Sequence, residues 1–266
     1  MKGNSMHIAD LPPELRVDTN GHMLTITLDR PAKLNTMTPD MGRALMSLVP
    51  TINDEDQIRV VVLRGEGTRA FSAGSDIAVL DQYGTNWQLR NRTDYARAVW
   101  SIRKPVIAAI RGYCIGGGLE LALMSDIRIA DRTAQFAAGE IKLGWHGGAG
   151  NTQLLPRAVS TGSALLMLLT GDTVDAEEAH RMGLVDVLTE SEDLEDTVNT
   201  IALKIASNAP IAAQLAKHLV RTAQSTSLDV GLAYENDLFA YCFTTDDARE
   251  GQAAFLEKRL PNFTGK

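Results

Sequence analysis

The chain has 266 residues with 26 Lys+Arg against 33 Asp+Glu, a net charge of −7, and is 44% hydrophobic, 22% charged and 5% aromatic. That length suffices to bury a substantial core, and the composition lies far from disordered, fibrous or collagen-like chains. The acidic balance argues against a nucleic-acid partner, since phosphate affinity comes from clustered Lys and Arg, yet it leaves room for an anionic small molecule held by a local basic contact. No run approaches the roughly 20 consecutive apolar residues of a membrane span, and the N-terminus, interrupted by Asp10 and Glu14, has no signal-like apolar stretch. A soluble, cytoplasmic protein with no membrane partner is expected. Cys114 and Cys242 read as two reduced, buried thiols. The five histidines, His7, His22, His146, His180 and His218, show no metal-ligand spacing, so no metal site is expected.

Residues 1–20 are polar and punctuated by Pro12-Pro13, which predicts an irregular arm. Leu24-Thr25-Ile26-Thr27-Leu28 then alternates with the period of a strand buried on one face. The stretch 38–51 opens with Thr38-Pro39, an N-cap followed by Pro at the first helical position, and carries Met41, Leu45, Leu48 and Val49 along one side of a helix. Ile58-Arg59-Val60-Val61-Val62-Leu63 and Pro105-Val106-Ile107-Ala108-Ala109-Ile110 read as strands buried on both faces, each ended by glycine. Between them, 76–103 is expected to be a loop and then a charged helix. Residues 119–124 read as a short buried helix and 127–130 as another strand. From about residue 160 the strand signal disappears, and amphipathic stretches at 162–169, 176–182, 194–207, 210–225, 228–243 and 246–258 predict helices. No internal repeat or low-complexity tract interrupts this pattern. The division expected is an arm at 1–20, an α/β core at 21–200 and a helical region at 201–266.

The 22 glycines are near the average frequency but bunch at 112–118 and 144–150. Glycine is favoured where the backbone takes a positive φ or comes close to a ligand. These clusters fit neither a dinucleotide fingerprint nor a Walker loop nor a nucleophile elbow. A strand, then glycines, then a helix start at Leu119-Glu120 instead exposes unpaired N–H groups where an oxyanion could form. Glu120 in such a first turn is also simply favoured by the helix dipole. Glu140 stands among apolar neighbours just before the second glycine cluster, where a carboxylate is either desolvated or turned to solvent. Together they form a candidate acid/base pair.

Phe71-Ser72-Ala73-Gly74-Ser75-Asp76-Ile77, followed by the run from Lys104-Pro105 through Gly116-Gly117-Gly118-Leu119-Glu120-Leu121-Ala122, resembles the enoyl-CoA hydratase/isomerase (crotonase) superfamily. The resemblance continues through Asp126-Ile127, Leu169-Thr170-Gly171 and Gly183-Leu184-Val185 to Phe255-Leu256-Glu257-Lys258-Arg259, covering about residues 20–264. It implies an α/β crotonase fold, a spiral of ββα units with a C-terminal helical trimerisation region, assembled as a homotrimer or a hexamer of paired trimers. It also implies an acyl-CoA thioester as substrate, with no cofactor beyond the coenzyme A that the substrate carries.

By motif matching, the backbone N–H groups of Ser75 and Gly117 form the oxyanion hole; many relatives have Ala at the first of these. The two family glutamates match Glu120, implied to orient and deprotonate the attacking water, and Glu140, implied to protonate C2. The coenzyme A contacts match Lys33, Leu34, Ala73, Asp76 and Ile77, with Phe239 and Lys258 reaching in from the C-terminal helices, from a neighbouring subunit in some arrangements. The match departs around Glu140. The usual Pro-Glu is Gly139-Glu140, and the usual Leu-Gly-small-apolar-Pro-Gly-Ala-Gly-Gly-Thr is Leu143-Gly144-Trp145-His146-Gly147-Gly148-Ala149-Gly150-Asn151-Thr152. Trp145 and His146 are thereby placed near the acyl pocket, as shape-giving side chains or, for His146, in proton transfer. Hydration of a trans-2-enoyl-CoA is the favoured expectation. The alternatives are an isomerase or hydratase/lyase acting on an aromatic or branched acyl-CoA, and a non-catalytic CoA-binding paralogue.

Overall fold

A computed structural model describes residues 11–266; the first ten residues of the expected arm, including His7, lie outside the described residues. In chain order, β1 (Leu15–Asn20) and β2 (Met23–Leu28) precede α1 (Pro39–Asp54), and β3 (Val60–Gly65) and β4 (Ala70–Ser72) precede the short helices α2 (Asn86–Arg90) and α3 (Tyr95–Ser101). Then come β5 (Val106–Ile110), β6 (Tyr113–Ile115) and α4 (Gly117–Met124), followed by β7 (Ile127–Asp131), β8 (Gln135–Ala137), α5 (Asn151–Ala158) and α6 (Thr161–Thr170). After β9 (Val174–Asp175), α7 (Ala176–Arg181) and β10 (Val187–Thr189), the described chain is helical: α8 (Leu194–Ala206), α9 (Pro210–Ala223), α10 (Leu228–Cys242) and α11 (Asp246–Glu257).

The strands form a six-stranded sheet in the order β1-β2-β3-β5-β7-β10 and a four-stranded sheet in the order β4-β6-β8-β9. Three times in succession a strand of the larger sheet bends within a few residues into a strand of the smaller one: β3 to β4, β5 to β6, β7 to β8. All pairings among these six strands are parallel. This is the expected spiral of ββα units, and its bends explain the glycines at the strand ends. At Gly112 (φ 59°) a Cβ would sit 2.1 Å from the Arg69 carbonyl oxygen, so only glycine lets β5 turn into β6.

The uninterrupted β-branched run of β3 follows from burial on both faces. Val61 and Leu63 join the main core, while Val60 and Val62 pack with Ile107, Ala109 and Ile129 under Leu194, Val198 and Ala202 of α8. In α1 the Thr38 hydroxyl accepts the Met41 N–H at 3.2 Å, and Met41, Leu45, Leu48 and Ile52 line its buried face. α9 is tied to the core by Asp126, which accepts Lys217 Nζ at 2.6 Å and Arg221 Nη2 at 2.9 Å; burial lowers the Lys217 pKa to about 8. No described helix is long and apolar enough to cross a membrane.

Four expectations need correction. Residues 15–20 are not irregular but pair as β1 with β2 across a turn at Gly21 (φ 57°); the exposed Asp18, Thr19 and Asn20 hide the strand. Strands do occur after residue 160, since β9 and the three-residue β10 join the two sheets, too short to show a period. Cys242, expected to be buried, is half-buried at the end of α10, where the helix has no buried face. α4 begins at Gly117, two residues before the expected start.

Candidate active site

The site is built at the N-terminus of α4, where the smaller sheet delivers β6. Gly116 caps the helix at φ 57°; its N–H donates to Ala137 O at 2.9 Å and its carbonyl accepts the Glu120 N–H at 3.0 Å. Gly117, the first helical residue, is wedged between Tyr95 and Gly74. A Cβ there would lie 1.8 Å from Tyr95 Oη, and a Cβ on Gly74 (φ 88°) would lie 2.7 Å from Gly117 N. The 74–75 turn and the α4 terminus are therefore in contact. Among the described residues neither the Ser75 N–H nor the Gly117 N–H donates to a protein acceptor. Ser75 is fixed from two sides: Met37 binds its neighbours through Gly74 O (2.8 Å) and the Asp76 N–H (2.9 Å), and its Oγ is 2.9 Å from Tyr95 Oη. Burial raises the Tyr95 pKa well above the usual phenol value.

Glu120 is 4% exposed, and its Oε1 accepts the Ala149 N–H at 2.8 Å. Burial pushes its pKa up to about 7, the Ala149 hydrogen bond opposing this and the nearby Glu140 adding to it. The Glu140 carboxyl lies over Gly116, 3.4 to 3.9 Å from where a Cβ would be. Its Oε1 accepts Asn151 Nδ2 at 3.0 Å. Desolvation raises its pKa as well, and the Asn151 hydrogen bond holds it back. Two buried acceptors are left with no partner among the described residues, Glu140 Oε2 and Asn151 Oδ1. Two carboxyls with raised proton affinity beside two free N–H donors can exchange protons next to a developing oxyanion.

Lys33 is exposed, and Leu34 (φ 52°) accepts the Ala73 N–H at 2.9 Å, which brings 33–34 beside the 73–77 turn. Asp76 accepts Arg30 Nη2 at 3.0 Å and caps the turn at Ala78; Ile77 is exposed beside it. Trp145 and His146 are exposed on the loop after Glu140, with the Trp145 N–H on Glu140 O at 3.3 Å and His146 Nδ1 on Gly147 O at 2.8 Å. Phe239 and Lys258 are not drawn into this cluster. Phe239 is exposed on α10 against Phe243, and Lys258 (φ 55°) is exposed at the end of α11. Tyr95 carries no signal in the sequence, and Asn151 shows there only as a departure from the family run.

The family model described as Enoyl-CoA hydratase/isomerase matches residues 18–266. The short-chain-enoyl-CoA hydratase of Clostridium acetobutylicum is 35% identical over 249 residues, 91% of this chain and 94% of that protein. The crotonyl-CoA hydratase of Syntrophomonas wolfei is 36% identical over 92% of this chain and 95% of that one. The crystal structure of an enoyl-CoA hydratase from Bacillus anthracis superposes with a TM-score of 0.90 at 36% identity, covering 95% of this chain and 100% of that one. The chain belongs to the enoyl-CoA hydratase/isomerase (crotonase) family and is an enzyme of the enoyl-CoA hydratase type.

Proposed function

We propose that this enzyme adds water reversibly to trans-2-enoyl-CoA thioesters by means of Glu120 and Glu140, with the thioester oxygen bound by the main-chain N–H groups of Ser75 and Gly117. The observation that carries the reading is the pair of desolvated carboxyls, one held by the Ala149 N–H and the other by Asn151, beside two N–H groups with no protein acceptor. Addition at C3 places negative charge on the thioester oxygen, where preorganised donors are each worth about 10²–10³ in rate.

In its working state the pair holds one proton, because burial disfavours the charged form of both carboxyls and Glu140 further disfavours charge on Glu120. Glu120 takes a proton from the water whose oxygen bonds to C3, and Glu140 gives its proton to C2. A further water touching both carboxyls returns the proton from Glu120 to Glu140, so that one water is added and the pair is restored. In the empty site burial favours the proton on Glu120, and the same relay moves it to Glu140. Glu140 Oε2 and Asn151 Oδ1 supply lone pairs for such waters.

Coenzyme A lies along Lys33, Leu34, Ala73, Asp76 and Ile77, with Phe239 and Lys258 supplied by a neighbouring subunit. Trp145 and His146 shape the acyl pocket. No cofactor is needed beyond the coenzyme A of the substrate. Exposed Leu166, Leu169, Phe255, Leu256 and Leu260 support burial between subunits, in a homotrimer or a hexamer of two paired trimers. The enzyme works in the cytoplasm.

The experiment is loss of the enone absorbance of crotonyl-CoA, with Glu120→Gln and Glu140→Gln each expected to lower kcat by about 10²–10⁴. Full activity in both variants overturns the mechanism.

A further inference from the structure

Arg92, in the segment between α2 and α3, is half-buried and forms no ion pair with any described residue; its Nη1 donates to Leu89 O at 3.0 Å. Its Nη2 faces the site, since a Cβ on Gly148 would lie 3.2 Å from it. Gly148 immediately precedes Ala149, whose N–H holds Glu120. Arg92 also lines two cavities. One, of about 30 Å³, is shared with Ser75 and Tyr95. The other, a cleft of about 500 Å³, is shared with Arg43, Trp87 and Gln88. Among the described residues the wider cleft has no carboxylate in its lining, and Asp76 in the narrower one is already paired with Arg30. The guanidinium thus stands between the reacting end of the site and a cleft whose described lining holds no acid; Nη1 is on Leu89 O, while Nη2 and Nε make no hydrogen bond to any described residue.

We propose that Arg92 binds a carboxylate at the far end of the acyl chain, so that the favoured substrates are ω-carboxy enoyl-CoA thioesters, the monothioesters of unsaturated dicarboxylic acids. This rests on the hydratase reading of the same site. An arginine stays charged at every working pH, and its fork matches a carboxylate in a bidentate pair. A purely apolar tail in the same place would cover the cation without offering an acceptor, and that desolvation counts against it. The preference therefore has both an attractive part for the carboxylate and a repulsive part for the hydrocarbon.

The test compares kcat/KM for the six-carbon trans-2-enoyl-CoA and its ω-carboxy counterpart in the wild-type enzyme, Arg92→Lys and Arg92→Gln. The wild type is expected to prefer the carboxylated substrate. Arg92→Gln is expected to lower the ratio of the two values by about ten- to a hundredfold, as for a lost charge-assisted hydrogen bond, and Arg92→Lys to retain part of it. The ratio cancels any effect of Arg92 on Glu120, which both substrates share. An unchanged ratio, or an equal fall for both substrates, overturns the proposal. Calorimetric binding of hexanoyl-CoA, adipyl-CoA and free coenzyme A provides an arm independent of turnover. A preference for adipyl-CoA that Arg92→Gln abolishes upholds the role of Arg92 even if neither enoyl-CoA is hydrated, in which case only the hydratase reading fails. Equal weakening of all three by Arg92→Gln would instead place Arg92 on the coenzyme, and overturn the proposal.

Discussion

A Cβ at position 147 would fall 2.7 Å from the Cβ of Asn151 and 2.8 Å from its Nδ2, so Gly147 and Asn151 fit only as a pair. The Asn151 amide bridges to Glu140 Oε1 at 3.0 Å, and the usual family run has Pro and Gly at these two positions. Gly147→Ala is expected to push the amide off Glu140 and lower kcat about tenfold, the worth of one hydrogen bond to a charged group. In Asn151→Gly the same Gly147→Ala change should cost almost nothing, because the crowded side chain is gone. A double-mutant cycle on kcat reads this coupling; additive effects would show that the two positions act independently.

The same hydrogen bond fixes the sign of a pH effect. Asn151 donates to the ionised form of Glu140 and so holds its pKa down against burial. In Asn151→Ala the Glu140 pKa rises, and the doubly protonated, inactive pair persists to higher pH. The acid limb of the kcat/KM profile is therefore expected to move to higher pH than in the wild type. Asn151→Asp, which places a second negative charge beside Glu140, should move it in the same direction. A limb that stays in place would remove Asn151 from the protonation of this site.

Glu120 also ties the site to stability. Its pKa rises from 4.5 to about 7 on folding, so the folded chain binds the extra proton between these values. Stability from this group is present below pH 4.5 and is lost as pH rises through about 7, with about 3 kcal/mol as the upper bound. Glu120→Gln, which is neutral at every pH, should therefore stabilise the protein more at pH 8 than at pH 5. Thermal unfolding of both proteins at the two pH values measures the difference. An equal Tm change at both would mean that the buried carboxyl is not desolvated.

How much of this was legible in the sequence depended on how local each cause is. β3 and β5 announced themselves because both faces of each strand are buried, and α1 because Thr38 and Pro39 mark its start. β1 did not, because its pairing with β2 lies across a turn and its exposed residues are polar. Glu120 and Glu140 were visible through motif order, as were Ser75 and Gly117. Tyr95 and Arg92 were not, since both lie in a segment whose charges obscure any pattern and reach the site only through tertiary packing. Phe239 and Lys258 are in the converse situation: the motifs single them out, yet one folded chain leaves them exposed and apart from the 73–77 turn.

The packing of Gly117 against Tyr95 yields the last expectation. A Cβ on Gly117 would lie 1.8 Å from Tyr95 Oη, 3.0 Å from its Cζ and 3.1 Å from Gly74 Cα. Gly117→Ala must therefore displace Tyr95 or widen the gap between α4 and the 74–75 turn, which separates the two N–H donors. Loss of one preorganised donor lowers kcat by about 10²–10³. Tyr95→Phe removes the nearest clashing atom and leaves only the ring-edge and Gly74 contacts, so the Gly117→Ala/Tyr95→Phe double variant should recover part of that loss, the rest reflecting the Ser75 Oγ contact with Tyr95 Oη that it also removes. The recovery should appear in kcat rather than KM, because the donors act on charge that develops after the substrate is bound. A Gly117→Ala enzyme with wild-type kcat would show that the Gly117 N–H does not serve the thioester oxygen.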